Sequence, residues 1–161
     1  TRYLDQPDVL AYLEHVVDRY DLTEIDLDIE GRESLAADVG QRRAQAIAAL
    51  VLPQQYLVSA VLPGMVDAGH GTILFTAGSG SINPVPFFGT LNTAQAATRN
   101  WALNLHNQLA GSGVYVAHIA IGVSIGDAAP AEGYPFKTPD EIAAAFWDLH
   151  QERSTAELVI S

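Results

Sequence analysis

Two hydroxyls and three hydrogen-bonding side chains are the groups in this chain whose spacing suits work on a ligand. Ser79 and Ser81 lie in the glycine-punctuated stretch TAGSGS, residues 76–81, and Asn92, Gln95 and Arg99 recur at spacings of three and four shortly after it. That spacing puts the three on one helix face, where they offer hydrogen bonds to a ligand or form a hydrated surface. None of the five exchanges protons readily near neutral pH, so by themselves they bind and orient.

The rest of the inventory narrows the chemistry. There is no cysteine, which excludes thiol catalysis, disulfides and thiolate metal sites. Lys137 is the single lysine. The histidines His15, His70, His106, His118 and His150 show no ligand spacing such as His-x-x-x-His, so no metal site is expected from them. His106 and His150 fall in helical patterns and His118 in an apolar strand pattern, where local hydrogen bonding is the expectation. The acidic series Asp26, Asp28, Glu30 and Glu33 lacks the glycine and ligand order of a calcium loop and reads as hydrated. Nineteen acidic residues against eight basic ones give a formal charge of −11, a poor surface for nucleic acid.

The elements that must position these groups follow from periodicity. With 161 residues, 48% of them hydrophobic, the chain suits one core, a single domain over residues 1–161. PDVLAYLEHVVDRY, Pro7 to Tyr20, has apolar residues at helical spacing, with Asp5 placed to cap it. IDLDI, residues 25–29, fits either a strand with one wet face or an acidic loop. From Ser34 a long helical stretch is expected to break at Pro53 and resume to Gly69, with too many apolar positions for one stripe. GTILFT, residues 71–76, and VYVAHIAIG, residues 114–122, read as buried parallel strands. Between them residues 90–110 form a helix closed by Gly111 and Gly113. Trp101, Leu105 and Leu109 are packing positions on it. TPDEIAAAFWDLHQER reads as a capped helix anchored by Phe146 and Trp147, and AELVIS as a last strand. This alternation predicts an α/β fold, a Rossmann-like parallel sheet with flanking helices. In such sheets ligands lie past the carboxyl ends of the strands, here Ala77 to Asn83 and Gly122 to Gly126.

In order, LVSAVLPGMVDAGHGTILFTAGSGS, LNTAQAATRNWALNLHNQLAGSGVYVAHIAIG and TPDEIAAAFWDLHQERSTAELVIS resemble the second half of a short-chain dehydrogenase/reductase. The likeness runs from about Ser34 to the end. The first helix also resembles one in flavin monooxygenases of the Baeyer-Villiger type. The dehydrogenase resemblance implies an NAD- or NADP-dependent oxidoreductase, with Gly122 and Val123 beside the nicotinamide and Ser79 facing the substrate. It also implies pairing of the helices near 41–68 and 88–110 across a homo-oligomer interface.

The same resemblance implies a catalytic tyrosine, lysine, serine and asparagine, and the family pattern places them at Leu91, Gln95, Gly78 and Leu50. No Tyr-x-x-x-Lys occurs anywhere in the chain. Leu91 exchanges no proton and Gln95 carries no charge, so the usual hydride-transfer apparatus is not encoded. That leaves Ser79, Asn92 and Gln95 as candidate site residues and a pseudoenzyme, a non-catalytic binding or assembly module, as the alternative function. The glycine-rich dinucleotide turn and the family's first strands would precede Thr1, so the domain is expected to lack its N-terminal strands. No apolar run approaches the roughly 18 residues of a spanning helix, and TRYLDQPDVL has neither a basic cap nor an apolar region. A cytoplasmic protein with a small-molecule ligand and no membrane or nucleic-acid partner is the expectation.

Overall fold

The computed structural model describes residues 24–28 and 40–161, with side-chain environments from Ile47 onward. The helix expected over Pro7 to Tyr20, and Glu30 and Glu33, lie outside the described residues. IDLDI contributes a strand: β1, Glu24–Asp28, pairs in parallel with β2, Gly71–Gly78. With β3, Val114–Ile121, and β6, Glu157–Ile160, these form a parallel sheet in the order β1-β2-β3-β6. Two short strands, β4 (Ser124–Ile125) and β5 (Phe136–Lys137), make a separate parallel pair beyond the end of β3. The helices are α1, Gly40–Ala68, α2, Gly89–Gln108, and α3, Pro139–Glu152. The α/β architecture expected from the alternation of elements is therefore the one found.

Helix α1 departs from expectation at Pro53, where it continues instead of breaking and then passes through Pro63 as well. Each proline removes a bond to the carbonyl four residues earlier, at Ala49 and Ser59. Both of those residues are exposed, so water can satisfy the freed carbonyls while the opposite side stays packed. Although its sequence is interrupted by polar residues, the helical segment Ile47–Ala68 is long and apolar enough to cross a membrane by length and composition. Here Val58, Val61 and Met65 from that segment enter the core, as a helix of a globular fold also would.

The pleat sorts the strand residues onto two faces. Ile73, Phe75, Val114 and Val116 meet Val58, Val61 and Met65 of α1 and Ala102 and Leu105 of α2. Trp101 closes over this face, its ring edge-on to Phe75 at 5.2 Å. Leu74, Tyr115, Ala117 and Ile119 point the other way, against Ile142 and Leu149 of α3 and Ile160 of β6. Burying a side chain of this size contributes about 1.5–3 kcal/mol, so the two clusters rather than helix propensity hold the layers together. Phe146 joins the second cluster, whereas Trp147, expected to anchor α3 beside it, is 59% exposed and stacks only on His150.

Helix α3 starts on a complete capping box. The Glu141 amide donates to the Thr138 hydroxyl at 3.3 Å, and the Thr138 amide donates to the Glu141 carboxylate at 2.7 Å. The Thr138 amide first, and then the Thr138 hydroxyl, which donates to the same carboxylate at 2.9 Å, hold the Glu141 carboxyl below the usual carboxylate range. Thr138→Ala is expected to cost about 1 kcal/mol of stability, measured by thermal or urea unfolding.

Candidate functional site

Strands β2 and β3 end side by side, with Gly78 opposite Ile121, and the segments leaving them meet. From Gly78 the chain makes a 3-10 turn over Ser79–Ser81, held by the Ser81 hydroxyl donating to the Gly78 carbonyl at 2.8 Å. From Ile121 it passes through Gly122, whose amide donates to the Ile160 carbonyl at 2.7 Å. A Cβ built on Gly122 would lie 3.3 Å from both Ser79 Cβ and that carbonyl oxygen, so the two loops approach closely where a side chain would crowd them. Ser79 and Gly122, placed at one site by resemblance, do come together. The side chain of Val123 packs on the α3 face of the sheet.

Helix α2 presents Asn92, Gln95 and Thr98 inward, all buried, which removes the hydrated-face reading for Asn92 and Gln95. The three candidates of this helix have separate occupations. Asn92 donates from its amide to the Val85 carbonyl at 2.8 Å, and its oxygen occupies the space a Cβ on Gly80 would need. It thus pins the 78–88 segment. Arg99 is taken up by Glu157 of β6, with bonds of 2.5 Å from Nε and 2.8 Å from Nη2. Gln95, 4% exposed, has no hydrogen-bond partner among the described residues, and its amide lies 3.4–3.5 Å from the position of a Cβ on Gly78. Unlike the fully enclosed orphan atoms Gln54 Nε2 and His118 Nε2, the Gln95 amide is not completely enclosed. Ser79 Oγ likewise has no internal partner. A buried amide and a hydroxyl without partners form an uncharged donor and acceptor set open to a ligand.

Behind this floor lies a polar network that periodicity did not suggest. Glu157 also accepts a hydrogen bond from His118 Nδ1 at 3.0 Å, and His118 is wholly buried. Since a carboxylate can only accept, neutral His118 carries its proton on Nδ1. Burial pushes the His118 imidazole below its ordinary value, against the opposing pull of Glu157. The Arg99 guanidinium holds the Glu157 carboxyl below the usual carboxylate range. Nearby, Thr98 Oγ1 donates to Gln54 Oε1 at 3.1 Å, tying α2 to α1. Local hydrogen bonding by His118 was legible; Glu157, Thr98 and Gln54 were not. The visible signal was a lone acid opening an apolar strand, AELVIS.

No protein-family model and no curated protein sequence matches the chain. Solved structures do. An acetoin dehydrogenase from Salmonella typhimurium superposes with a TM-score of 0.83 at 17% identity, over 98% of this chain and 70% of that one. L-sorbose reductase from Gluconobacter frateurii, complexed with NADPH and L-sorbose, gives 0.78 at 19% identity, over 97% of this chain and 72% of the other. A short-chain dehydrogenase from Streptomyces avermitilis gives 0.76 at 16% identity, covering 95% and 66%. At these identities the likeness speaks for architecture alone, and the architecture of this chain is the short-chain dehydrogenase/reductase fold.

Proposed function

We propose that this chain is a divergent, single-domain relative of the short-chain dehydrogenases/reductases that binds a nicotinamide dinucleotide and lacks the family's tyrosine-lysine proton relay. The observation that carries the reading is the convergence of Ser79, Gln95 and Gly122 at the carboxyl ends of β2 and β3. Similar folds include one complexed with NADPH. The residues present fit the nicotinamide end of such a cofactor: backbone at Gly122 and Val123, a hydroxyl at Ser79 and an amide at Gln95. They do not supply a phosphate cradle at 78–81, because Asn92 fills the space over Gly80. A bound nicotinamide would supply hydride chemistry. Around it Leu91 moves no proton, and Gln95 donates hydrogen bonds without ionising. Full-length protein should show saturable heat on titration with NADH or NADPH. Its reductase turnover should fall about 10²–10⁴-fold below that of enzymes with a positioned acid-base group. No heat with either cofactor would remove the reading.

A second reading, the non-catalytic assembly module, draws on α1. Most of the apolar segment Ile47–Ala68 is not buried within the fold, and Tyr56 and Val66 lie exposed along it. An isologous pairing through this helix would cover them. Light scattering on the same sample decides, since a monomer at all concentrations excludes this assembly.

A further inference from the structure

On one of its two faces β6 is held by charge more than by packing. The strand is four residues long, Glu157–Ile160, and among the described residues it pairs only with β3, at an edge of the sheet. Leu158 and Ile160 join the cluster on the α3 side. On the α2 side β6 offers Glu157 and Val159, and Val159 is 51% exposed. The hold on that side is therefore the Glu157 carboxylate, bonded to Arg99 and His118.

His118 makes this anchor sensitive to acid. Its ring is wholly buried, its Nδ1–H is spent on Glu157, and its Nε2 is enclosed without a partner. A proton added at Nε2 would be a buried donor with no acceptor, which is costly. The charged groups facing the ring are Arg99 from α2 and Glu157 from β6, while His106 of α2 is turned to the Val116 carbonyl. From β2 the register neighbour is Phe75, which does not ionise. Glu157 attracts the added charge, Arg99 repels it, and burial outweighs the attraction.

Acid therefore favours any arrangement in which His118 reaches water. Phe75 of β2 and Ala102 and Leu105 of α2 are tied into the larger apolar cluster, to which β6 contributes no residue. Departure of β6 is thus the opening that wets the ring at least cost. The far end of the same strand bears on the candidate site. The Ile160 carbonyl accepts from the Gly122 amide, and Gly122 is the residue that abuts Ser79.

We propose that His118 and Glu157 form an acid-released latch on β6: protonation of His118 frees β6 from β3 while the rest of the sheet stays folded, and breaks the bond that sets Gly122 beside Ser79. Its bearing on ligand binding rests on the reading of that edge as the nicotinamide site; release of the strand does not.

The test is amide hydrogen exchange followed by NMR on the full-length protein, at about pH 7.5 and about pH 5.5, with each rate divided by its intrinsic value at the same pH. The amides to watch are those of His118 and Gly122, which donate to the Ala156 and Ile160 carbonyls. At both pH values they should be at least about tenfold less protected than the amides of β2, because a strand leaves more readily than a sheet unfolds. Between the two pH values they should lose about tenfold of their protection. His118→Gln keeps a donor for Glu157 and does not titrate, so that loss should vanish while the other histidines remain. NADH at about ten times its dissociation constant should raise the protection of both amides about tenfold at the higher pH, since it binds only the paired state.

Protection equal to that of β2 would overturn the latch, because only global unfolding would then expose these amides. So would protection that acid leaves unchanged, and both results are read in the natural protein without any variant. A loss that persists in His118→Gln would overturn the role of His118, and NADH that binds without adding protection would overturn the link to the site. Release of β6 with no heat from NADH or NADPH would leave the latch standing and remove the cofactor reading, whereas heat with no release would do the reverse.

Discussion

Glu157→Leu is expected to cost the folded state about 3 kcal/mol and, at this chain length, to lower the melting temperature by roughly 6–12 °C. The carboxylate accepts from Arg99 Nε and Nη2 and from His118 Nδ1, joining α2, β3 and β6 at one point. Leucine fills the space but strands a guanidinium and leaves a wholly buried imidazole with neither ring nitrogen paired, since His118 Nε2 already lacks a partner. Arg99→Met should cost less, because Glu157 then keeps its bond to His118 and is partly open to solvent. Denaturant unfolding of both single variants and the double variant measures the coupling, and simple additivity would show that the three groups do not act as a unit.

The same network fixes the direction of the pH response. His118 has a folded-state pKa lowered chiefly by burial, so the folded state holds its proton less tightly than the unfolded chain. Its contribution is complete above the unfolded value, near 6.5, and is lost as pH falls through the lower folded value. Protonation would place an N–H in the core without an acceptor and a second cation beside Arg99. Glu157, also lowered, loses its contribution further into acid, as pH drops below the unfolded carboxylate value and through its own. Stability should therefore decline as pH falls below about 6.5. His118→Gln, which retains a donor for Glu157 and does not titrate, should flatten the first part of that decline.

How much could be read without the structure depended on whether a feature repeats along the chain. The apolar runs at 71–76 and 114–122 declared β2 and β3, because a strand buried on both faces is apolar at nearly every position. The cap at Thr138 was equally plain, being a local pattern of residues three apart. Pro53 misled because a proline's cost depends on what surrounds the carbonyl it frees, and the exposure of Ala49 is a tertiary fact. Trp147 misled because its large apolar ring was weighed without knowing the rotation of α3, whose inward line runs through Ile142 and Leu149. At the candidate site, Ser79 and Gly122 were legible as strand-end positions. What each α2 side chain would meet was not: Asn92 is consumed by Val85, Arg99 by Glu157, and Gln95 by nothing, an outcome decided by residues up to 58 positions away.

Gly113→Ala should be the most disruptive single-methyl change among the glycines of the described residues 64–133, costing at least about 3 kcal/mol from a backbone collision added to a left-handed conformation. Gly113 has φ +84, and a Cβ there would drive into the carbonyl oxygen of Gly69. The collision partner is backbone, and it lies in the turn before β2 just as Gly113 lies in the turn before β3. Neither can yield alone, because Gly71 and Val114 are already paired in register and Arg153 of the α3 C-cap donates to the Gly113 carbonyl at 3.0 Å. Gly111 provides the control: its φ is +82, yet a Cβ there would meet nothing within 4 Å. Gly111→Ala should therefore cost only about 1–2 kcal/mol, the conformational part alone. Urea unfolding of the two variants separates the effects, and equal losses would show that contact between the turns contributes nothing. A larger loss at 113 would mean that the abutting turns help to set the register of β2 against β3, and with it the meeting of Ser79 and Gly122 at the opposite end of the same two strands.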